Sequence, residues 1–473
     1  MITRLAIQNF RAIQNFDEPL AKITLFIGEN NTGKSSLLLP LELLKYWTSG
    51  PVTTSTPDFS SIEQIVGTFE MNIFKKEKNR RVTFAFEFEI DKENKEKLSR
   101  LANSCKKIYD NKKLDFSKLM YSVSLEYIPP PSKEIGIPEE FVCDGKKKTI
   151  LKINRKIKFS EMNDQYVHAV QYYPVNETFI RLHDDYHNHL IAWQFNRVTY
   201  EIGLGGGGKP PYTDEELSIY THFLNEVKRV CRNELRDKLH IITEVRKKIS
   251  TYISTEKKPS NLDSEGRSFP WDSGENTLEI LHDIYHRSRE YLKSKILINK
   301  WLNKFQSSDL FVGLSLREKR ILADINDTVL DTNVNLSNIG FGIQQLLHIM
   351  VQLASDKQQT IIIDEPEIHL HPKAQMELID MFIDSINLGN QVICTTHSEH
   401  MFYRLQKRIA EGVISVNDVA VYHITKDENG THAKRIKIEE NGEIKGWLPS
   451  FFEASWTELN ELNEKLSAWK NHG

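Results

Sequence analysis

Cysteine is scarce in this chain: Cys105, Cys143, Cys231 and Cys394 are the four among 473 residues. They lie far apart with no CxxC spacing, which argues against a disulfide framework or a zinc cluster and for buried or idle thiols in a reducing compartment. An excess of positive charge is also missing. Lys and Arg number 62 against 65 Asp and Glu, a net charge of −3, so no global basic field draws nucleic acid and any DNA contact would be a local patch. No apolar run approaches the roughly 20 residues that a membrane helix requires, and the opening MITRLAIQNFRAI lacks the apolar stretch of a signal peptide. The expectation is a cytoplasmic chain without a membrane span. What is present is ordinary globular material, 39% hydrophobic and 27% charged, enough for two or three domains.

Residues 2–10 alternate and read as a strand, and the apolar run ITLFI (23–27) stops at Gly28, as a buried strand would. A helix is expected from Ser35 through Tyr46, and strands over 82–90 and 120–128, with a lysine-rich solvated helix or loop between them. Gly205 to Gly208 followed by Lys209, Pro210 and Pro211 can continue neither helix nor strand and mark a linker. From Thr213 to about Tyr252, apolar residues recur at three- and four-residue spacing (Leu217, Tyr220, Leu224, Val227, Cys231, Leu235, Leu239), which predicts an inserted helical arm with a basic, solvated opposite face. A second helical stretch is expected over Leu278–Phe305, and strand–helix alternation returns over 308–425.

Gly28-Glu29-Asn30-Asn31-Thr32-Gly33-Lys34-Ser35 fits GxxxxGK[ST]. Average residue frequencies give such a match by chance in only about 2% of chains this long. Here a strand precedes the loop and a helix follows it. Glycines let backbone N–H groups curl around phosphates, and the helix N-terminus adds positive potential. Lys34 is expected to reach the β- and γ-phosphates, and Ser35 to offer its hydroxyl to Mg²⁺.

The second strong pattern is Thr360-Ile361-Ile362-Ile363-Asp364-Glu365-Pro366-Glu367-Ile368-His369-Leu370-His371-Pro372. Four β-formers run into paired carboxylates, as in a strand buried on both faces whose carboxyl end meets a ligand. Asp364 would hold Mg²⁺ directly or through water, and Glu365 is placed to polarise attacking water as a general base. His369 and His371 have a metal-like spacing, yet no Cys/His partners accompany them, so they read as packing and subunit contacts. Gln391–Ser398 is another buried strand, ending at His397, which could hydrogen-bond a γ-phosphate.

Together LAIQNFRAI, GENNTGKS, LSNIGFGIQQ (336–345), IIIDEPEIHLHP and CTTHS resemble, in order, the ABC-type ATPases of the SMC/RecF/OLD group. The resemblance implies an α/β fold: an ABC-type ATPase head with a split mixed sheet plus an inserted helical or coiled-coil arm. Its expected segments are 1–204 and 308–425 for the head, 205–307 for the arm and 426–473 for a C-terminal extension. It also implies roles. Arg11 approaches the nucleotide, and Gly28 through Ser35 with Ser36 form the phosphate cradle. Lys34, Glu365 and His397 act in catalysis, and Ser35 and Asp364 bind Mg²⁺. His369 to Pro372 cross a dimer seam. The signature segment, with Ser337, Gly340, Gly342 and Gln344, caps the γ-phosphate of a partner copy; either Ser337 or Gln344 meets it. For the metal-sensing glutamine, Gln64 and Gln171 both stand as candidates.

The short tail WLPSFFE (447–453) resembles that of ATPase subunits in two-gene antiphage systems such as Septu (PtuA-like) and PARIS (AriA-like). That resemblance implies ATP and Mg²⁺ as cofactors, slow hydrolysis, at least a dimer, and a separately encoded effector such as an HNH or toprim-like nuclease. The alternatives are a RecF/SMC-like DNA-repair or chromosome-handling ATPase, and a nucleotide-binding scaffold with little turnover.

Overall fold

The computed structural model describes residues 1–49, 69–77, 80, 82–104, 118–128, 140–143, 146–149, 166–175, 178–182, scattered positions from 219 to 230, and 238–242, 277–286, 291–304, 307–315, 320–327, 331–355 and 358–445. In chain order the strands are β1 (Ile2–Phe10), β2 (Ile13–Pro19), β3 (Ile23–Ile27), β4 (Val82–Glu89), β5 (Lys118–Ile128), β6 (Glu140–Cys143), β7 (Lys146–Thr149), β8 (Tyr166–Val175), β9 (Thr178–Leu182), β10 (Leu239–Ile242), β11 (Ser307–Ser315), β12 (Arg320–Asp327), β13 (Thr332–Asn335), β14 (Thr360–Asp364), β15 (Gln391–Thr396), β16 (Val419–Asp427), β17 (Gly430–Ile438) and β18 (Ile444–Lys445). The helices are α1 (Lys34–Ser49), α2 (Phe69–Asn72), α3 (Lys92–Ser104), α4 (Thr277–His286), α5 (Leu292–Asn303), α6 (Phe341–Leu353), α7 (Pro372–Asn387) and α8 (Glu399–Ala410). Among the described residues no helix is long and apolar enough to cross a membrane.

The chain divides into two compact units. The first draws on Met1–Leu20 and Leu39–Leu239. It holds a six-stranded sheet in the order β2-β1-β4-β5-β8-β9, antiparallel at every pairing. Alternation is the cause: Val82, Phe84, Phe86 and Phe88 share one face of β4, and all are buried. Phe10 meets Phe84 edge-on, with centroids 5.0 Å apart. The lysine-rich stretch after β4 is helical as α3, burying Leu98 and Ala102 and leaving its charges outward.

The second unit draws on Ala21–Leu38, His240–Ser260 and Trp271 onward. Its seven-stranded mixed sheet runs β10-β14-β15-β3-β16-β17-β18. The four central strands are parallel, and β17 and β18 add antiparallel pairings at one side. Every residue of β3 and β15 is buried, as unbroken apolar runs require of strands covered on both faces. One face packs Ile23, Leu25, Ile361, Ile363 and Val392 in a core with Leu346, Met350, Leu378 and Phe382 from α6 and α7. A separate antiparallel sheet, β11-β12-β13, completes the unit.

Three expectations change. The helical pattern expected through Tyr252 is broken by Leu239–Ile242, which is strand β10. Leu239 continues the helical spacing, but the β-branched pair Ile241 and Ile242 is buried as a strand in the mixed sheet. The helices expected as the end of an arm instead enter the core of the second unit through Leu281, Ile284, Ile298, Trp301 and Leu302. A boundary at 425 would cut β16, whose hairpin with β17 belongs to the main sheet. The glycine run at 205–208, the remaining arm positions Leu217, Tyr220, Leu224, Val227, Cys231 and Leu235, and the tail 447–453 lie outside the described residues.

Candidate functional site

Parallel register brings the chemistry together. Asp364 pairs with Thr395, Thr395 with Phe26, and Thr396 with Ile27. The carboxyl ends of β14, β15 and β3 therefore finish side by side, delivering Asp364, His397 and Gly28 to one edge, where open α/β sheets bind ligands.

The loop from Gly28 to Gly33 is held by its own hydrogen bonds and by the β16–β17 hairpin. Thr32 Oγ1 donates to Glu29 O at 2.9 Å, and Ser36 N donates to Gly33 O at 3.1 Å. Thr431 Oγ1 donates to Thr32 O at 2.8 Å. Gly33 has φ +101°, and a Cβ there would lie 2.5 Å from Thr431 Oγ1; only glycine fits both the conformation and the space. At Gly28 a Cβ would collide with the carbonyl oxygen of Ile424. Glu29, Asn30 and Asn31 are exposed at the loop tip, with Asn31 left-handed at φ 64°. Such a turn, exposed at its tip and opening helix α1, has the form of an anion cradle.

Lys34 is only 4% exposed. Its ammonium donates to Gly28 O at 3.1 Å and Glu29 O at 2.7 Å, and its third direction faces His397 Nδ1 at 3.4 Å. Burial pulls its pKa down, while Glu365, Glu367, Asp364 and Glu29 oppose the shift. Because the ammonium has only donors, Nδ1 must present its lone pair, and Nε2 then carries the proton. Nε2 lies 2.8 Å from Glu365 Oε1, to which it donates. A continuous path therefore runs Lys34–His397–Glu365.

Asp364 accepts a short hydrogen bond from Thr395 Oγ1 and a longer one, 3.3 Å, from Ser35 Oγ. Burial raises its pKa, with Glu365 adding to the rise against Thr395, Ser35 and Lys34. A hydroxyl and a half-buried carboxylate held this close are hard oxygen donors, and they fit a small divalent cation such as Mg²⁺ that keeps several waters. Glu365 itself is left-handed at φ 47°, a strained conformation of the sort found at functional sites. Its N–H is held by Thr395, at 3.2 Å to the carbonyl and 3.1 Å to the hydroxyl.

Thr395 and Glu367 were not singled out by sequence reasoning. Thr395 is fully buried and ties both carboxylate positions through one hydroxyl. Glu367, 8% exposed, accepts the backbone N–H of His397 at 2.5 Å, and burial raises its pKa. The available signal was Glu367's place two residues after Glu365 and Thr395's place two before His397. Thr431 could not be found this way, since it stands beyond the last motif.

Other expected residues have different settings. Arg11 belongs to the first unit, where its Nε donates to Asn72 Oδ1 at 2.9 Å and its guanidinium lies 5.4 Å from the Phe10 ring centroid. Burial lowers its pKa, with Glu42 opposing. In the signature segment, Leu336–Asn338 forms a 3₁₀ turn and Gly340 caps α6, exposed and with open space around it. Gln344 turns inward instead. It is 1% exposed and its Nε2 donates to Ile339 O at 2.9 Å, so it braces its own loop. A Cβ on Gly342 would press on His369 O at 2.9 Å, so the signature helix starts against the histidine turn of its own chain. His371 caps α7, accepting from Lys373 N at 3.3 Å, and His369, His371 and Pro372 are all exposed. Gln171 lies in β8 of the first unit, and Gln64 is outside the described residues. Cys394 is a buried free thiol whose pKa burial pushes up.

A family model described as an AAA ATPase domain matches residues 1–402. The chain belongs to that family. The chain is 34% identical over 153 residues to an ATP/GTP phosphatase of Helicobacter pylori, covering 29% of this AAA ATPase chain and 40% of that protein. It is also 29% identical over 150 residues to the Old nuclease of Escherichia phage P2, covering 29% of this chain and 22% of the phage protein. The chain thus spans less than half the length of these curated relatives. Among solved structures it is similar to an SMC head bound to the C-winged helix domain of ScpA, at 12% identity and TM-score 0.47, covering 93% of this chain and 99% of that one. A Pyrococcus furiosus-derived SMC head with an extended coiled coil gives 11% identity and TM-score 0.45, covering 98% and 99%.

Proposed function

We propose that this AAA ATPase hydrolyses ATP slowly and with Mg²⁺, at the site where Lys34, Ser35, Asp364, Glu365 and His397 meet. The observation that carries the reading is the path Lys34–His397–Glu365 beside the Ser35–Asp364 pair. A buried cation, an oriented imidazole and a carboxylate stand in contact one after the next, an arrangement suited to setting water against a phosphate. Gly28 through Gly33 would cradle the phosphates with backbone N–H groups, and Lys34 would exchange loop carbonyls for phosphate oxygens. Glu365 would accept a proton from the attacking water, and His397, with its Nε2 proton on Glu365, would hold that carboxylate oriented. Ser35 and Asp364 would hold Mg²⁺, which when bound neutralises charge on the phosphates.

The working site is proposed to need a second copy. Gly340 is exposed at the start of α6, so that helix N-terminus is free to face an anion from outside its own subunit. The capping contact is assigned to the backbone around Ser337, Gly340 and Gly342 and not to the buried Gln344. His369 to Pro372, with His369, His371 and Pro372 exposed beside that segment, would lie on the seam. Light scattering of Glu365→Gln is expected to show dimers with ATP and Mg²⁺ and monomers without, and Lys34→Ala to stay monomeric in both. A monomer at full activity would refute the shared site.

In the cell the chain is proposed to act as the sensor or regulatory subunit of an antiphage complex, alongside a separately encoded nuclease. What supports this reading is the resemblance of the tail WLPSFFE (447–453) to that of ATPase subunits in two-gene antiphage systems. Copurification from the native host with ATP present is the test. A co-eluting nuclease supports the defence role, and salt-sensitive, ATP-dependent DNA binding without one would favour a repair role instead.

A further inference from the structure

We propose that Glu367 is a positioning residue for hydrolysis: its carboxylate fixes the backbone at His397 and so holds the imidazole between Lys34 and Glu365. The inference rests on the hydrolytic reading given above.

The turn after β14 grips His397 at two points. Glu365 accepts from the ring at 2.8 Å, and Glu367 accepts from the backbone N–H at 2.5 Å. Two residues apart, these carboxylates reach opposite parts of one histidine because Glu365 takes a left-handed conformation at φ 47°. His397 follows the last residue of β15 and precedes Ser398, whose hydroxyl caps α8 through Met401 N at 3.1 Å. The residue is thus held from behind by the cap and from the side by Glu367. The imidazole has little tolerance: a displacement of about 1 Å breaks the 3.4 Å approach to Lys34 or the 2.8 Å bond to Glu365, and shifts of that size cost up to about 100-fold in rate. A carboxylate only 8% exposed is costly to bury. A charge-assisted hydrogen bond to a single backbone N–H is shorter and stiffer than a neutral one.

The mechanism is one of reach, which sets an order among variants. Glu367→Gln keeps an acceptor at the same distance. Glu367→Asp keeps the charge but falls one methylene short, and Glu367→Ala has no acceptor. Phosphate release by the full chain should fall about threefold at most in E367Q and about tenfold or more in E367D and E367A. Binding of a fluorescent ATP analogue should stay within about twofold in all three, because the loop that would cradle the phosphates is braced through Thr32 and Thr431. In a His397→Ala background the same substitutions should cost nothing further. The proposal is overturned if E367D outperforms E367Q, if E367A keeps the normal rate, or if losses multiply with His397→Ala. Should E367A melt below the assay temperature, the Asp–Gln comparison decides alone. A wild-type chain without turnover, or a Lys34→Ala chain with normal turnover, defeats the hydrolytic reading itself; a normal wild type with the wrong ranking defeats only the role of Glu367.

Discussion

Asp380 is where α7, α8 and the end of α5 are tied together. Arg404 donates to it at 2.6 and 3.3 Å, Arg408 at 2.7 and 2.9 Å, and Lys304 approaches at 3.4 Å. The guanidiniums and ammonium hold the carboxyl far below the usual carboxylate range, against the opposing effect of its burial. Removing one partner of a buried pair costs about 3–5 kcal/mol. Here the side chains of Arg404 and Arg408 are 17% and 23% exposed, so water screens the cations left behind, and about 2–3 kcal/mol is the better expectation for Asp380→Ala. At about 2–4 °C per kcal/mol for a body of this size, the melting temperature should fall by about 5–10 °C. The sign with pH is fixed. A carboxyl whose folded pKa lies below its unfolded value stabilises fully above the unfolded value near 4, and that contribution fades as pH falls toward the folded one. Differential scanning calorimetry from pH 7 to pH 3 should therefore show the wild type losing its advantage over Asp380→Ala only below about pH 4. Hydrolysis should also slow, since α7 follows the turn that carries Glu365 and Glu367 and α8 starts two residues after His397. A melting shift under about 2 °C, or an advantage that grows as pH falls, would refute this reasoning.

Thr431→Val removes the hydroxyl that holds Thr32 O; ATP affinity should fall about 3–10-fold by titration calorimetry, the worth of one hydrogen bond. Gly33→Ala forces a Cβ to 2.5 Å from Thr431 Oγ1 at φ +101°, so nucleotide binding should be lost and stability reduced by about 1–3 kcal/mol in urea melts. Asp364→Asn should abolish hydrolysis while raising the melting temperature of the nucleotide-free protein. Burial and Glu365 raise the Asp364 pKa, so its ionised form destabilises the fold above the folded pKa, and that cost is relieved as pH falls through it.

The parts of the site that were legible in sequence are those where an apolar run stops abruptly. Apolar runs stop at Ile27, Ile363 and Cys394, the strands end at Ile27, Asp364 and Thr396, and parallel pairing of those strands makes neighbours of residues more than 300 positions apart. What escaped notice depends on packing. Glu367 reads as one more polar turn residue until the turn folds back onto His397. Thr431 becomes part of the phosphate loop only because the β16–β17 hairpin lies along β3. The family resemblance left Ser337 and Gln344 as alternatives for meeting a phosphate, yet Gln344 faces inward to Ile339. Strand β10 was hidden because Leu239 sits in phase with the helical spacing before it, and local periodicity carries no information about a sheet supplied by residues 23–27 and 360–445.

The most direct measurement is steady-state phosphate release from ATP by the wild type, Lys34→Ala and Glu365→Gln under identical Mg²⁺ conditions. The account predicts slow turnover in the wild type and at least a 100-fold loss in both variants, on the scale seen when a transition-state contact is removed, with Glu365→Gln still binding ATP. Turnover undiminished in both variants would contradict it.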